Sequence, residues 1–443
     1  MSIPFIDLKT QYGRVSGKVQ EGIAKVLDSG AFINGPDVVR LEERLAEYCG
    51  TRYAVGCASG TDALMMALMA LNVGPGDAVF CPPFTFMATA EVPALLGATP
   101  VFVDVDPQTL NMDPKKLDAA IRAVESGDAS LHPLPKNVGK LRPKAVIPVD
   151  IFGLLADYQG ILAVAAEHGL FVVQDAAQSF GATVEMSGAT RRAGSFGSIA
   201  CTSFFPAKPL GCYGDGGMCF TDDADLLELL RSVRVHGQGR DKYENVRLGI
   251  TGRLDTLQAA VLLAKFEIFP EEVRLRQEVA ARYAELLAKV PGLTLPVVPQ
   301  RHVSVFAQYS VQARSAAHRS SAGRTTPPPP GRRRGAHQHL LPQAAAPAVG
   351  LCQSGPRPGR HARERGRRVA HLQHPHASVP GGRGAGNHRQ GHAGLGRGIG
   401  GGHADTLAHI AEAGAARSPR LGHCLHGHGL CTAPGAQPAP AGR

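Results

Sequence analysis

Short apolar runs alternate with stretches of helical periodicity through residue 314. The runs Tyr53–Cys57, Ala78–Cys81, Pro100–Val105, Ala145–Val149, Leu170–Gln174, Ala200–Phe205 and Met218–Thr221 have the length and continuity of strands covered on both faces. Between them, Asp62–Leu71 and Gln159–His168 space their apolar residues as helices do. Alternation of this kind predicts an α/β fold whose mixed sheet is mostly parallel and lies between helices. Pro107, Pro114 and the Gly-Pro pairs punctuate it, and Glu125–Arg142 reads as an exposed loop before the next strand. A charged amphipathic helix over Ile268–Val290 predicts passage from a large domain, residues 1–270, into a smaller one that begins at 271.

After Arg314 the pattern stops. Lys, Tyr, Phe and Met disappear, 14 of the 18 histidines fall in this part, and Gly, Pro, Ala and Arg dominate. Only Ala404–Ala416 retains a helix-like spacing. The net charge of +10 resolves into +14 on residues 315–443 and −4 on residues 1–314, so the basic balance belongs to the tail. Disordered segments of ordinary composition keep Lys and Glu, whereas Arg, Ala, Gly and Pro have GC-rich codons. Residues 315–443 are therefore expected to be an aberrant, disordered product of a shifted reading frame. A one-base shift within codons permitted for Leu340–Ala348 yields Tyr-Tyr-Pro-Lys-Pro-Leu-His-Leu, and the same shift within Pro375–Pro380 yields Pro-Met-His-Pro-Tyr. This removes several tempting motifs. Gly396-Arg397-Gly398-Ile399-Gly400-Gly401 follows no strand, His371, His374 and His376 lack acidic or cysteine partners, and the arginines lack interleaved aromatics. No metal site and no specific nucleic-acid partner are expected.

The rest of the composition narrows the setting. No basic segment followed by an apolar run opens the chain, and the most apolar stretch, Ala63–Val73, is too short to cross a bilayer. The nine cysteines form no C-x-x-C pair. A reduced, cytoplasmic setting without membrane attachment is expected.

Three segments carry chemistry. Lys208 lies in Ser203-Phe204-Phe205-Pro206-Ala207-Lys208-Pro209-Leu210-Gly211, between an apolar run and a Gly-rich turn. Desolvation pushes such an amine toward its neutral, nucleophilic form, which suits a Schiff base with an aldehyde cofactor. Ser59-Gly60-Thr61-Asp62 follows a strand and opens a helix, so its amides can hold a phosphate; an ordinary serine cap is the alternative. Asp175 ends the run Phe171–Gln174, where a carboxylate can keep a pyridine nitrogen protonated or simply cap a helix. Phe86 is placed to stack on the ring or to fill the core. Together these residues point to pyridoxal 5'-phosphate.

Read in order, Phe5-Ile6-Asp7-Leu8, Gly35-Pro36-Asp37-Val38, Ser59–Leu64, Asp175-Ala176-Ala177-Gln178, the Lys208 segment and Arg253–Ala260 resemble the DegT/DnrJ/StrS family of nucleotide-sugar aminotransferases. Cys201–Pro206 and Arg253–Gln258 look closest to bacterial members that aminate UDP-2-acetamido-2-deoxy-3-oxo-glucuronate for O-antigen synthesis. The resemblance implies the aspartate-aminotransferase fold (fold type I) and a homodimer with shared active sites. Glutamate would be the amino donor. Lys208 would then be the Schiff-base lysine, Asp175 would meet the pyridine nitrogen, and Gln178 would lie near the ring hydroxyl. Gly60, Thr61 and Ser203 would hold the phosphate, with Phe86 stacked on the ring. Relatives often carry Gly-x-Asn-x-Arg where this chain has Gly249-Ile250-Thr251-Gly252-Arg253, so Thr251 stands where an asparagine reaches the neighbouring subunit's cofactor. Arg253 would face a sugar carboxylate or act structurally, with His302 as a second basic candidate. A few relatives dehydrate sugars with histidine in place of the lysine, and Lys208 argues against that alternative. A chain with a shifted frame can also be an inactive product.

Overall fold

The structure, a computed structural model, describes residues 6–136, 139–241, 243–314 and 367–372. All of them fall in Met1–Pro380, the first of the two units into which the chain divides. The helix-like stretch Ala404–Ala416, the motif Gly396–Gly401, His374 and His376 lie outside the described residues, while His371 falls within the segment 367–372.

Five strands come first: β1 (Tyr53–Cys57), β2 (Asp77–Cys81), β3 (Thr99–Phe102), β4 (Arg142–Val146) and β5 (Phe171–Asp175). A hairpin, β6 (Thr183–Met186) and β7 (Ala189–Arg192), forms part of a separate small sheet. Strands β8 (Ile199–Ser203) and β9 (Gly217–Thr221) then complete the central sheet, in the order β1-β9-β8-β5-β4-β2-β3. Only β9 runs against its neighbours; the other pairings are parallel.

Both faces are covered, which is why the strands read as continuous apolar runs rather than alternating ones. The helices are α1 (Leu8–Ser29), α2 (Pro36–Cys49), α3 (Gly60–Ala70), α4 (Ala88–Leu95), α5 (Pro114–Ser126), α6 (Tyr158–Glu167), α7 (Ala224–Val233), α8 (Thr256–Phe266) and α9 (Phe269–Leu287). Leu64 and Leu68 of α3 and Leu230 of α7 pack with Val79, Val173 and Ile199. The alternate residues of the same strands, Phe80 and Val172, meet Leu117 and Ile121 of α5 and Ile161 of α6 on the other face. Leu41 and Leu45 of α2 and Leu262 of α8 close over Ala200 and Phe220.

All seven runs become strands, with Tyr53–Cys57 matched at both ends and the others shifted at one end or both. The run at Ala145–Val149 is answered by β4 starting at Arg142, because Arg142 pairs in register with Asp77 and donates to its Oδ1 from Nε at 2.9 Å and Nη2 at 2.6 Å. Polar residues thus join the strand through backbone pairing, and Val149 belongs to the turn beyond it. The β6–β7 hairpin was absent from the pattern. It turns at Ser187 and Gly188, both at positive φ (53° and 79°), and its four-residue strands are largely polar.

After α9 come β10 (Leu293–Thr294), β11 (His302–Val303), β12 (Tyr309–Arg314) and β13 (Arg367–Leu372). Strand β11 adds to β6, and β12 lies between β10 and β13. The sequence pattern offers no strand beyond 314, yet β13 pairs along the whole of β12. The open hydrogen-bond row of a strand edge recruits backbone irrespective of side-chain periodicity.

Candidate active site

The parallel strands deliver their C-terminal ends to one edge of the sheet, where ligands of open α/β sheets bind. Strand β1 ends at Cys57, and Ser59 caps α3 by accepting from Asp62 N–H at 3.0 Å. The first bond within that helix is Ala63 N–H to the Ser59 carbonyl. Gly60 and Thr61 therefore keep N–H groups that the helix cannot use. The cap and the anion cradle are the same structure. A Cβ at Gly60 would lie 2.6 Å from Ser203 Cβ, so the absence of a side chain is what lets the helix start meet β8. Gly217 makes the same allowance, since a Cβ there would sit 2.3 Å from the Ser59 carbonyl.

Asp175 closes β5 and is 7% exposed. Its Oδ2 accepts from Thr89 Oγ at 3.1 Å and its Oδ1 from Ala177 N–H at 3.1 Å. Burial pushes this carboxyl up, against the pull of Ala177 N–H, the Lys208 charge and Thr89. Lys208 sits half-buried in the loop after β8, its N–H donating to the Phe205 carbonyl at 2.8 Å. Burial holds its amine below the ordinary lysine value, and the Asp175 carboxylate opposes that shift. The two groups thus feel one another across the edge of the sheet. Beneath the loop, buried Lys265 donates to the Gly211 carbonyl and lies 5.1 Å from the Tyr213 ring centre; burial brings it down to about 8.

Gln178 accepts from Phe152 N–H at 2.7 Å through Oε1, which leaves its Nε2 amide as the donating end. Phe152 holds φ 60° and Gly153 φ 101°, a left-handed turn costly for a phenylalanine. The turn is braced from outside, because Ser304 Oγ and Val305 N–H both donate to the Gly153 carbonyl, at 3.0 and 2.9 Å. Phe86 is 66% exposed just before α4, in the segment that carries Thr89 to Asp175.

The remaining candidates divide. Arg253 Nη2 donates to Thr251 Oγ at 2.6 Å, and Gly252 between them accepts from Ala58 N–H at 3.1 Å, next to the phosphate-type loop. His302 pairs with Val184 on β6 and its Nδ1 lies 3.0 Å from the Gln300 carbonyl. Among the described residues, no hydrogen bond joins its ring to Lys208, Asp175 or Arg253. Thr89, Phe152 and the buried Asp150 were missed. The available signal was Gln174, a polar side chain inside a fully covered strand, which requires buried partners.

The site suits pyridoxal phosphate on three counts. An anion cradle has spare N–H donors, a buried carboxylate suits a protonated ring nitrogen, and an amine is held toward neutrality. A lone antiparallel strand beside the sheet's edge, with lysine and carboxylate meeting where the parallel strands end, is the arrangement of pyridoxal-phosphate transferases of fold type I. The match is closer still at the level of family. The DegT/DnrJ/EryC1/StrS aminotransferase family model matches residues 15–323, and the chain belongs to that family of sugar aminotransferases, which depend on pyridoxal phosphate. It is 49% identical over 310 residues to the UDP-2-acetamido-2-deoxy-3-oxo-D-glucuronate aminotransferase of Pseudomonas aeruginosa, covering 70% of this chain and 80% of that protein. A DegT/DnrJ/EryC1/StrS aminotransferase from Brucella abortus superposes with TM-score 0.66 at 48% identity, over 70% of this chain and 79% of the other. DesV of S. venezuelae, solved with a ketimine intermediate, superposes with TM-score 0.64 at 38% identity, over 71% and 78% of the two chains.

Proposed function

We propose that the protein transfers an amino group from glutamate to the keto carbon of a nucleotide sugar, UDP-2-acetamido-2-deoxy-3-oxo-glucuronate, for surface-polysaccharide synthesis. The observation that carries this reading is the half-buried Lys208 amine held toward neutrality against the buried Asp175. The 49% identity with the Pseudomonas enzyme supports the choice of sugar. Pyridoxal phosphate, when bound, supplies the electron sink conjugated to the reacting carbon. Lys208 would hold the cofactor's aldehyde carbon and would move the proton at the substrate carbon. Asp175 would accept the ring N–H, and Gln178 Nε2 would donate to the ring hydroxyl. Gly60, Thr61 and Ser203 would bind the phosphate, and the Phe86 ring would stack on the cofactor. Arg253 offers a planar fork to the sugar carboxylate. Borohydride reduction of the cofactor-loaded protein followed by peptide mapping tests the assignment: the label belongs on Lys208, and Lys208→Ala should lose the visible band and at least about 10²-fold in turnover. A label on another lysine overturns it.

The site is read as shared within a homodimer, with Thr251 directed to the second subunit's phosphate. Exposed Phe205, Tyr243 and Leu248, the last two 83% and 87% exposed, supply apolar surface for a second copy. No helix of the described residues is long and apolar enough to cross a membrane. A cytoplasmic setting is the reading that the six free, buried cysteines among the described residues favour.

For the tail we favour a shifted frame. The family match stops at 323, close to the composition break, and permitted codons of the tail can yield, one base out of frame, the tyrosines that it lacks. Resequencing the gene across the codons for residues 305–325 should find one base gained or lost; an intact frame there rejects this reading.

A further inference from the structure

Asp150 takes no part in the chemistry above, yet its carboxylate is fully enclosed, 0% exposed. Its Oδ1 accepts from Ala156 N–H and the Tyr158 hydroxyl, both at 2.9 Å, and its Oδ2 from Gln174 Nε2 and Ser179 Oγ, both at 2.7 Å. The Gln174 amide cannot reverse, because its Oε1 already accepts from Gly194 N–H at 3.0 Å and Phe196 N–H at 3.2 Å. Four donors aimed at one group match the acceptor-only character of an ionised carboxylate. Burial pushes Asp150 up to about 6, opposed by those four bonds.

What the four donors belong to is more informative than their number. Gln174 immediately precedes Asp175, and Ser179 immediately follows Gln178. The Asp150 N–H itself donates to the Asp175 carbonyl at 3.1 Å. Asp150 also opens the turn whose Phe152 N–H fixes Gln178 Oε1. The carboxylate therefore fastens the chain neighbours of the two residues assigned to the cofactor ring, Asp175 at its nitrogen and Gln178 at its hydroxyl.

We propose that Asp150 is a positioning residue for the cofactor ring, setting the placement of Asp175 and Gln178 from behind through Gln174, Ser179 and the Phe152 turn. This role rests on the pyridoxal-phosphate reading. A carboxylate that served folding alone would change stability and leave the bound cofactor's spectrum untouched.

The test titrates apoprotein with pyridoxal phosphate, following the visible band, its dependence on pH and the apoprotein melting temperature. In Asp150→Asn one acceptor oxygen becomes an NH2, which faces a donor whichever way the amide turns, Gln174 Nε2 on one side or Ala156 N–H on the other. Affinity for the cofactor should fall about tenfold or more, and the pH midpoint of the band should move. Ser179→Ala removes one donor and keeps the carboxylate, so it should shift the band in the same direction with a smaller loss, and it serves if Asp150→Asn does not fold. Folded variants with unchanged affinity and band overturn the positioning role, even if their melting temperatures drop. A wild-type protein that binds no pyridoxal phosphate overturns the cofactor reading, and the role with it.

Discussion

Gly60 shows how little room one residue leaves at this site. A methyl group there would stand 2.6 Å from Ser203 Cβ and 3.1 Å from its Oγ, inside any normal contact. Gly60→Ala should destabilise the fold by about 1–3 kcal/mol, the usual range for overpacking, and weaken cofactor binding by separating α3 from β8. Denaturant unfolding and cofactor titration measure the two effects, and a wild-type affinity would remove Gly60 from the cradle. At this scale the sequence was legible where a residue broke the pattern around it. Lys208 and Asp175 each interrupt an apolar run, and Gly60 sits between a strand and a helix. Thr89 and Asp150 were not legible, because a threonine early in a helix and an aspartate after a strand look ordinary until the fold gives them partners. His302 was suggested by its charge type, but its strand is drawn to the β6 edge.

Among elements, Asp150 joins the end of β5, the start of α6 and the turn between β4 and α6, so its protonation reports on how they fit. Burial raises it from 3.8 to about 6. A group whose folded value is raised contributes stability that is fully present below its unfolded value and lost as pH rises through the folded one. The gap of about two units is worth up to about 3 kcal/mol. The unfolding free energy of wild type relative to Asp150→Asn should therefore decline as pH rises from about 4 to about 6. A difference that stays flat across that window would mean the carboxyl titrates alike folded and unfolded. The strands themselves were readable because burial on both faces makes them uniformly apolar. The β6–β7 hairpin was not, since its residues are half exposed and its turn depends on Ser187 taking a left-handed conformation.

For the whole molecule, the proposed sharing of the site between two subunits makes a specific demand on subunit mixing. Lys208→Ala and Arg253→Ala each remove one half of a site, so mixed dimers carry one site with both residues intact if the two halves come from different subunits. Mixing the two inactive variants should restore up to about a quarter of wild-type activity, the share expected when subunits exchange at random and each intact site works alone. Mixed dimers that form and stay inactive would place both residues on one chain's site. This level was not directly legible, because Gly249–Arg253 became meaningful only through its likeness to relatives.

The strand order carries one more consequence, for the timing of synthesis. Strand β1 leaves the ribosome first among the strands, yet its only partner in the sheet is β9, which ends at Thr221. Until then β1 has no neighbour to pair with, and closure of a contact so distant along the chain is slow. From that point the strand set is complete, 93 residues before the composition break after Arg314. A nascent chain can thus acquire its whole central sheet before the ribosome reaches the altered stretch, so a fault in the later codons would strike a protein whose cofactor-bearing framework has already been made.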